Sequence, residues 1–266
     1  MDRIAIISDV HANITALNAV LDDIYSRGIS RIICLGDSVT KCCNPDLVID
    51  KLRESCEIIL KGNCDETIAS SSIKARAFWS RLKIGQERAD FLNNLPVSTE
   101  FYMSGRLIRL MHASPYSLSS IYNPMFSNKG TTREGIELDS PTKLFDNTDF
   151  IGKSPNDPIP DVVGYGHIHT PNIFRFKNKL VFNPGSVGLP VEMLNDDNLY
   201  NQSNRFSTLA SYVILEGIYN SKDLASFSVN LVRVPYDLEK EIAYLNASDM
   251  PGKERIINSL KTANPN

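Results

Sequence analysis

The sequence predicts an α/β layered fold, on three observations. Through the first quarter of the chain, short β-branched runs alternate with stretches whose apolar residues recur at helical spacing, the pattern of repeated strand, turn and helix units. The second half carries strand after strand without long helices between them. With 266 residues, 42% of them hydrophobic and 22% charged, the chain can bury the core of one large domain or of a domain with an insert.

The run 3–7 (RIAII) reads as a strand, and Leu17, Val20, Leu21 and Ile24 follow on one helical face with Asn13 placed to cap it. The unit repeats with a strand at 31–35 and a helix entered at Asn44, with Pro45 at the first helical position, where a missing N–H is harmless. A third strand at 57–60 stops abruptly in KGNCDE (61–66), residues suited to a sharp turn. Further strands are expected at 106–111, 161–165, 179–183, 211–216 and 226–234. The stretch 114–160, rich in Ser, Asn, Pro, Asp and Gly, is too long for a routine connection and reads as a lid-like insert. A C-terminal helix is expected from about residue 237.

Charge and cysteine usage exclude several classes. Thirty-one acidic against 28 basic residues leave a net charge of −3, which is not the footprint of a nonspecific nucleic-acid binder. Five apolar residues before Ser8 are too few for a signal sequence or a membrane span, and no later run reaches about 18 apolar residues, so a cytoplasmic location without a membrane partner is expected. The five cysteines, Cys34, Cys42, Cys43, Cys56 and Cys64, contain no C-x-x-C pair, the pattern of reduced thiols rather than of a disulfide framework or a structural zinc site.

Side chains able to bind metal follow the strands. The junctions read SDVHAN (8–13), GDS (36–38), KGNCDE (61–66), HASP (112–115) and GHIHT (166–170), and they hold all four histidines of the chain. In open α/β sheets ligands bind beyond the carboxyl ends of the strands, so the five turns are expected to converge on one edge. His167 and His169 would share a face if the strand continued, whereas in a turn they can diverge toward two ions. Two Asp, one Asn and four His offer oxygen and imidazole donors, a mixture suited to Mn, Fe, Zn or Ni. Seven ligands exceed the needs of one ion. Two ions about 3.5–4 Å apart, bridged by one carboxylate, would use them all and activate water for attack on phosphorus.

In this order, SDVHAN, LGDSV, KGNCDE, LMHASP and YGHIHT resemble the five motifs of the calcineurin-like metallophosphoesterases. The resemblance spans residues 4 to about 190; FNPGSVGLP and the tail VRVPYDLEKEI are similar to the small prokaryotic phosphodiesterase branch. It implies one metallophosphoesterase domain over 1–266, a sandwich of two mixed β-sheets flanked by helices. It also implies two divalent transition-metal ions, Mn foremost, with Asp9, His11 and His169 on one, Asn63, His112 and His167 on the other, and Asp37 bridging. The activity implied is that of a metal-dependent phosphoric ester hydrolase acting on a small phosphorylated substrate, with self-association left open.

Asn63 and Asp65 are the catalytic positions that the resemblance carries over, with Cys64 where many members have His. Cys64 is either a small apolar packing residue or a weak acid. Without the imidazole, phosphodiesters with acidic leaving alcohols, or phosphoanhydrides such as dinucleoside polyphosphates, are expected ahead of alkyl monoesters. The same fold serves as a noncatalytic scaffold in the retromer complex and as protein serine/threonine phosphatases. Seven filled ligand positions favour an enzyme over a scaffold, and the missing His disfavours the protein phosphatase. Tyr116, Tyr122, Phe126 and Tyr200 are candidates either for stacking on a base or for local packing.

Overall fold

The computed structural model describes residues 1–70, 75–120, 122, 131–132, 135–136, 140–147, 153–193 and 204–262. Its first half runs β1 (Asp2–Ile7), α1 (Ile14–Ser26), β2 (Arg31–Cys34), α2 (Pro45–Ser55), β3 (Ile58–Ile59), α3 (Asn63–Ala69) and α4 (Ala75–Asn93). There follow β4 (Ser98–Met103), β5 (Arg106–Met111), the short strands β6 (Thr131–Thr132) and β7 (Gly135–Ile136), a 3-10 helix (Pro141–Phe145) and β8 (Val162–Tyr165). The chain continues through β9 (Asn172–Phe176), β10 (Lys179–Asn183), β11 (Val191–Met193), β12 (Asn204–Phe206), β13 (Leu209–Gly217) and β14 (Ser228–Pro235) to α5 (Leu238–Ala247) and α6 (Lys253–Thr262).

Two mixed five-stranded sheets result, in the orders β14-β13-β1-β2-β3 and β4-β5-β8-β10-β9. Strands β1, β2 and β3 are parallel in the first sheet, and β5, β8 and β10 are parallel in the second. Alternation along the strands decides where the core sits. Ile4, Ile6, Ile33 and Leu35 face Phe101, Ile108, Leu110, Val162 and Phe182 between the sheets. Ala5, Ile7, Ile32 and Cys34 point the other way, into Leu17, Val20, Leu21 and Ile24 of α1 and Val48, Ile49 and Leu52 of α2. Each such fully buried aliphatic side chain contributes roughly 1.5–3 kcal/mol.

The helix entries behave as their residues dictate. Asn13 Oδ1 accepts the Ala16 N–H at 2.9 Å. Pro45 opens α2 as expected, although Asn44 makes no side-chain cap bond. The expected C-terminal helix is α5, capped by Asp237 Oδ1 on the Lys240 N–H at 3.0 Å, and a second helix, α6, follows it.

Three features depart from the expectation. KGNCDE is not a free turn: Gly62 caps α3, and Asn63 is its first residue. α4 escapes the periodicity reading because it breaks at Gly85 (φ 73°) and leaves Phe78 and Leu82 exposed, so no single apolar face repeats along it. Parts of the lid-like insert (121, 123–130, 133–134, 137–139 and 148–152), Phe126 included, lie outside the described residues, as does Tyr200. The part at 140–147 is anchored: Leu144 and Phe145 are buried against Met111, Val163, Tyr165 and Val181 on the outer face of the second sheet. Tyr116 and Tyr122 join this cluster; the Tyr116 hydroxyl donates to Asp146 at 2.6 Å, and the Tyr122 ring lies 5.9 Å from that of Phe174.

Arg109 ties that anchor to β5. Its fully buried guanidinium donates to Glu100 at 2.7 Å, to the Asp146 carbonyl at 2.8 Å and to Asn147 Oδ1. Arg109→Met would leave Glu100 to Lys153 alone and strip the Asp146 carbonyl and Asn147 Oδ1 of their buried donor, so it is expected to lower the unfolding free energy by about 3 kcal/mol. Urea denaturation measures this, and a loss below about 1 kcal/mol would show that the anchor is held by its apolar residues alone.

Candidate metal centre

Parallel strands end on the same edge, and that register gathers the distant junctions. Asp9 and His11 follow β1, Asp37 follows β2, Asn63 follows β3, His112 follows β5, and His167 and His169 follow β8. All seven come together where the edges of the two sheets meet. Five of them, Asp9, His11, Asp37, His167 and His169, have φ between 49° and 67°, the left-handed region that non-glycine residues avoid. Such conformations persist where the surrounding structure over-determines them. Hydrogen bonds do so here: Asp9 N–H to Gly36 O at 3.0 Å, His11 N–H to Asp37 O at 2.9 Å, and Gly188 N–H to Asp9 O at 3.0 Å. Gly36 and Gly62 let the Asp37 and Asn63 turns touch, since a Cβ on Gly36 would lie 2.5 Å from the Gly62 nitrogen.

The seven side chains form two halves. In one, His11 Nε2 lies 2.9 Å from His169 Nε2, and Asp9 Oδ1 lies 3.7 Å and 3.3 Å from those two nitrogens. In the other, His112 Nε2 lies 3.0 Å from Asn63 Oδ1 and 3.2 Å from His167 Nδ1. Asp37 stands between them, with Oδ1 3.5 Å from His112 Nε2 and Oδ2 3.7 Å from His11 Nε2.

Backbone carbonyls settle the tautomers. Nδ1 of His11, His112 and His169 faces the carbonyls of Val39 (3.2 Å), Leu35 (3.0 Å) and Leu189 (2.8 Å), which can only accept, so Nδ1 carries the proton and Nε2 presents a lone pair. Thus His11 meets His169, and His112 meets the Asn63 oxygen, lone pair against lone pair. Asp9 Oδ2 accepts from the Ser8 hydroxyl (2.6 Å) and the His167 N–H (2.9 Å), while buried Oδ1 accepts no hydrogen bond and faces the two imidazoles. Only a shared proton or a cation stabilises such a set, and the donors present fit a divalent cation in each half.

The protonation balance of the bare protein agrees. Burial opposes the charge on Asp9, but His169 beside it holds the carboxyl well below the carboxylate range. Burial likewise opposes the charge on Asp37, and His112 and His11 outweigh it and pull the carboxyl down. Burial, then the charge of His169, pushes His11 down to about 3. Burial also opposes a proton on His169, but Asp9 outweighs it and raises that ring.

Asp65 does not face this cluster. It is fully buried, with Oδ2 accepting from Asp37 N–H (2.8 Å) and Gly62 N–H (3.0 Å) and Oδ1 accepting from Ser38 N–H (3.0 Å). Burial and the Asp37 charge push it up to about 7, against the pull of the Gly62 and Ser38 N–H donors. It positions the Asp37 and Asn63 turns rather than reaching a reacting atom. Cys64 donates its backbone N–H to Asp37 Oδ1 at 2.8 Å, and its half-buried side chain packs against the helical core. Burial, reinforced by Asp37, raises its thiol well above the ordinary range, so the sulfur stays protonated.

Sequence reasoning missed the groups that orient the imidazoles. Ser186 Oγ donates to the Asp9 carbonyl at 2.7 Å and accepts the Leu189 N–H at 2.8 Å, which places the carbonyl that fixes His169. Carbonyls of Leu35, Val39 and Leu189 carry no residue-type signal; the run FNPGSVGLP was the one visible trace of this support.

Two mixed sheets that present inward-turned imidazole, amide and carboxylate groups at one edge define a metal-binding hydrolase class. Residues 2–200 match the calcineurin-like phosphoesterase superfamily domain, and the chain belongs to that family. It is 29% identical over 259 residues, 93% of either chain, to the uncharacterized protein MJ0912 of Methanocaldococcus jannaschii. The fold is that of a metallophosphoesterase from Sphaerobacter thermophilus (TM-score 0.66, 21% identity, 98% of this chain and 100% of that one). It is shared with the hypothetical protein PH1004 of Pyrococcus horikoshii OT3 (TM-score 0.67, 18% identity, 99% of both chains). Among the described residues no helix is long and apolar enough to cross a membrane, and none of the five cysteines forms a disulfide.

If Asp65 is the clamp between the two turns, Asp65→Ala strands three backbone N–H groups and is expected to cost about 3 kcal/mol of stability, at roughly 1 kcal/mol or more for each buried donor left unmade. Chemical denaturation of the metal-free protein reads this directly. A change within about 0.5 kcal/mol, the usual range of a surface substitution, would mean that the turns hold without it.

Proposed function

We propose that the chain is a metal-dependent phosphoric ester hydrolase that cleaves phosphodiester or phosphoanhydride bonds of small, nucleotide-like substrates. The observation that carries this reading is Asp37, which turns one oxygen toward each half of a lone-pair-lined cluster. Asp9, His11 and His169 would hold one divalent ion, Asn63, His112 and His167 a second, and Asp37 would be shared, with Mn the expected metal and Fe, Zn or Ni as alternatives. When bound, such ions supply Lewis-acid activation of water and neutralise charge gathering on the phosphoryl oxygens.

The residues of the chain orient and restrict this chemistry. The Nδ1–H bonds to Leu35, Val39 and Leu189 lock three rings with Nε2 inward. Asp65 fixes the backbone that carries Asp37 and Asn63. All four histidines of the chain are claimed by the proposed ligand set, so none is left over to protonate a departing oxygen; the residue after Asn63 is Cys64, whose raised thiol pKa makes it a poor proton donor. Substrates whose leaving oxygen departs without a proton are therefore favoured, which supports activated diesters and anhydrides ahead of alkyl monoesters.

The test is elemental analysis followed by a substrate screen in excess Mn. The wild type is expected to bind two ions per chain and to hydrolyse bis(p-nitrophenyl) phosphate, and Asp37→Asn to lose affinity for both ions together. One ion at saturation, or two ions with no turnover of any monoester, diester or dinucleoside polyphosphate, overturns the reading.

The thiol makes a separate prediction. Cys64→Ser is expected to leave turnover of the activated diester within a few fold, and Cys64→His to raise monoester turnover modestly relative to the diester, well short of the roughly 10²- to 10⁴-fold of a fully positioned general acid. A drop of several hundredfold in Cys64→Ser with its metals in place would make the sulfur a participant in the chemistry.

A further inference from the structure

Between the Asp37 turn and α2 the backbone makes a second, tighter bend. The Cys42 N–H bonds the Thr40 carbonyl at 2.9 Å, closing a three-residue turn with Lys41 at its apex. Lys41 has φ 70° and Thr40 has φ 69°. A three-residue turn whose central φ is positive is the rare, strained form, and neither residue here is glycine. Adjacent left-handed residues of this kind are costly, and such outliers cluster at functional sites. The same Cys42 N–H also bonds the His11 carbonyl at 3.0 Å, so the strained apex is fastened directly against the candidate metal centre.

Lys41 itself is half-buried, and among the described residues its ammonium has no ion-pair or hydrogen-bond partner. Its charge reaches the site. After burial, His169 and the carboxylates, Lys41 is among the influences on the His11 ring, and it opposes the rise that burial and Asp37 impose on the Cys64 thiol. An unpartnered cation on a strained turn tied to the His11 carbonyl has an anion as its natural complement.

We infer that Lys41 is the phosphoryl-binding residue of this site: its ammonium takes a non-bridging oxygen of the substrate, or of a neighbouring phosphate in a polyphosphate, beside the metal cluster. This rests on the phosphoester reading above and adds to it the residue that selects for charge. Lysine serves here as a compact point charge, so its pull grows with the charge on the phosphoryl group, and inorganic phosphate or an anhydride gains more from it than a monoanionic diester does.

The experiment compares wild type, Lys41→Met and Lys41→Arg, all loaded with Mn and checked for metal content and thermal melting. Calorimetric titration with inorganic phosphate is expected to show about tenfold weaker binding in Lys41→Met, the loss of one charge-assisted hydrogen bond, and near-normal binding in Lys41→Arg. KM for bis(p-nitrophenyl) phosphate is expected to rise in Lys41→Met by a smaller factor, with kcat within threefold. Lys41→Gln replaces Lys41→Met if the latter does not fold. Unchanged phosphate affinity in a metal-loaded Met variant overturns the inference and leaves the hydrolase reading standing. Phosphate binding that depends on Lys41 in a protein that hydrolyses nothing overturns the hydrolase reading and leaves the inference standing. A loaded wild type that neither binds phosphate nor turns over a substrate overturns both.

Discussion

The carboxylate of Asp37 is the contact on which the rest of the site depends. It sits on a left-handed residue between two sheets, with Oδ2 turned to His11 from the β1 junction and Oδ1 turned to His112 from the β5 junction. Neither half of the cluster is complete without it. Its own position is secured by an unusual exchange: Asp37 accepts the Cys64 N–H, and Asp65, one residue on, accepts the Asp37 N–H. Two turns far apart in sequence thus hold one another by reciprocal carboxylate-to-backbone bonds in a region where water cannot substitute for either. Gly36 and Gly62 are the condition for this exchange, because a side chain at either would meet the other turn's backbone or the Asp37 carboxylate.

The cost of gathering so many acceptors is met in two ways. Backbone strain at Asp9, His11, Asp37, His167 and His169 turns the side chains inward at strand ends, and hydrogen bonds from neighbouring turns stabilise those conformations. The lone pairs that result oppose one another at about van der Waals distance or less, and in the bare protein Asp9 outweighs burial to raise His169 while burial and His169 push His11 down. A buried polar cluster arranged in this way is stable only with positive charge inside it, which ties the architecture of the edge to cation binding before any reaction is considered.

Much of the fold was legible, and so was the convergence of the seven strand-end side chains on one edge. The strands of the parallel cores, RIAII, RIICL, RLIRLM and VVGY, are dense in β-branched and aliphatic residues because both of their faces are buried, and the junctions after them carry the only four histidines. The helix α4 was not legible because its glycine break and exposed Phe78 and Leu82 disrupt any single period, and β9, an edge strand exposing Ile173 and Arg175, carries little burial pattern. The backbone contacts of Asp65 were not legible for a different reason. A carboxylate next to a site looks the same in sequence whether it faces a ligand or three backbone N–H groups.

By itself the sequence determined which side chains are available and on which strand ends they stand, because residue type and hydrophobic period are local properties. Tertiary structure decided everything that depends on approach between distant segments. It set which oxygen of Asp37 faces which half, and it set the tautomers of His11, His112 and His169, through carbonyls that no residue code reveals. It also set the strained turn at Lys41 beside the site, where the Cys42 N–H bonds the local Thr40 carbonyl and also that of His11, some 30 positions away in sequence. Spacing along a chain records neither direction nor distance between elements; those arise when two sheets pack and their edges are brought into register.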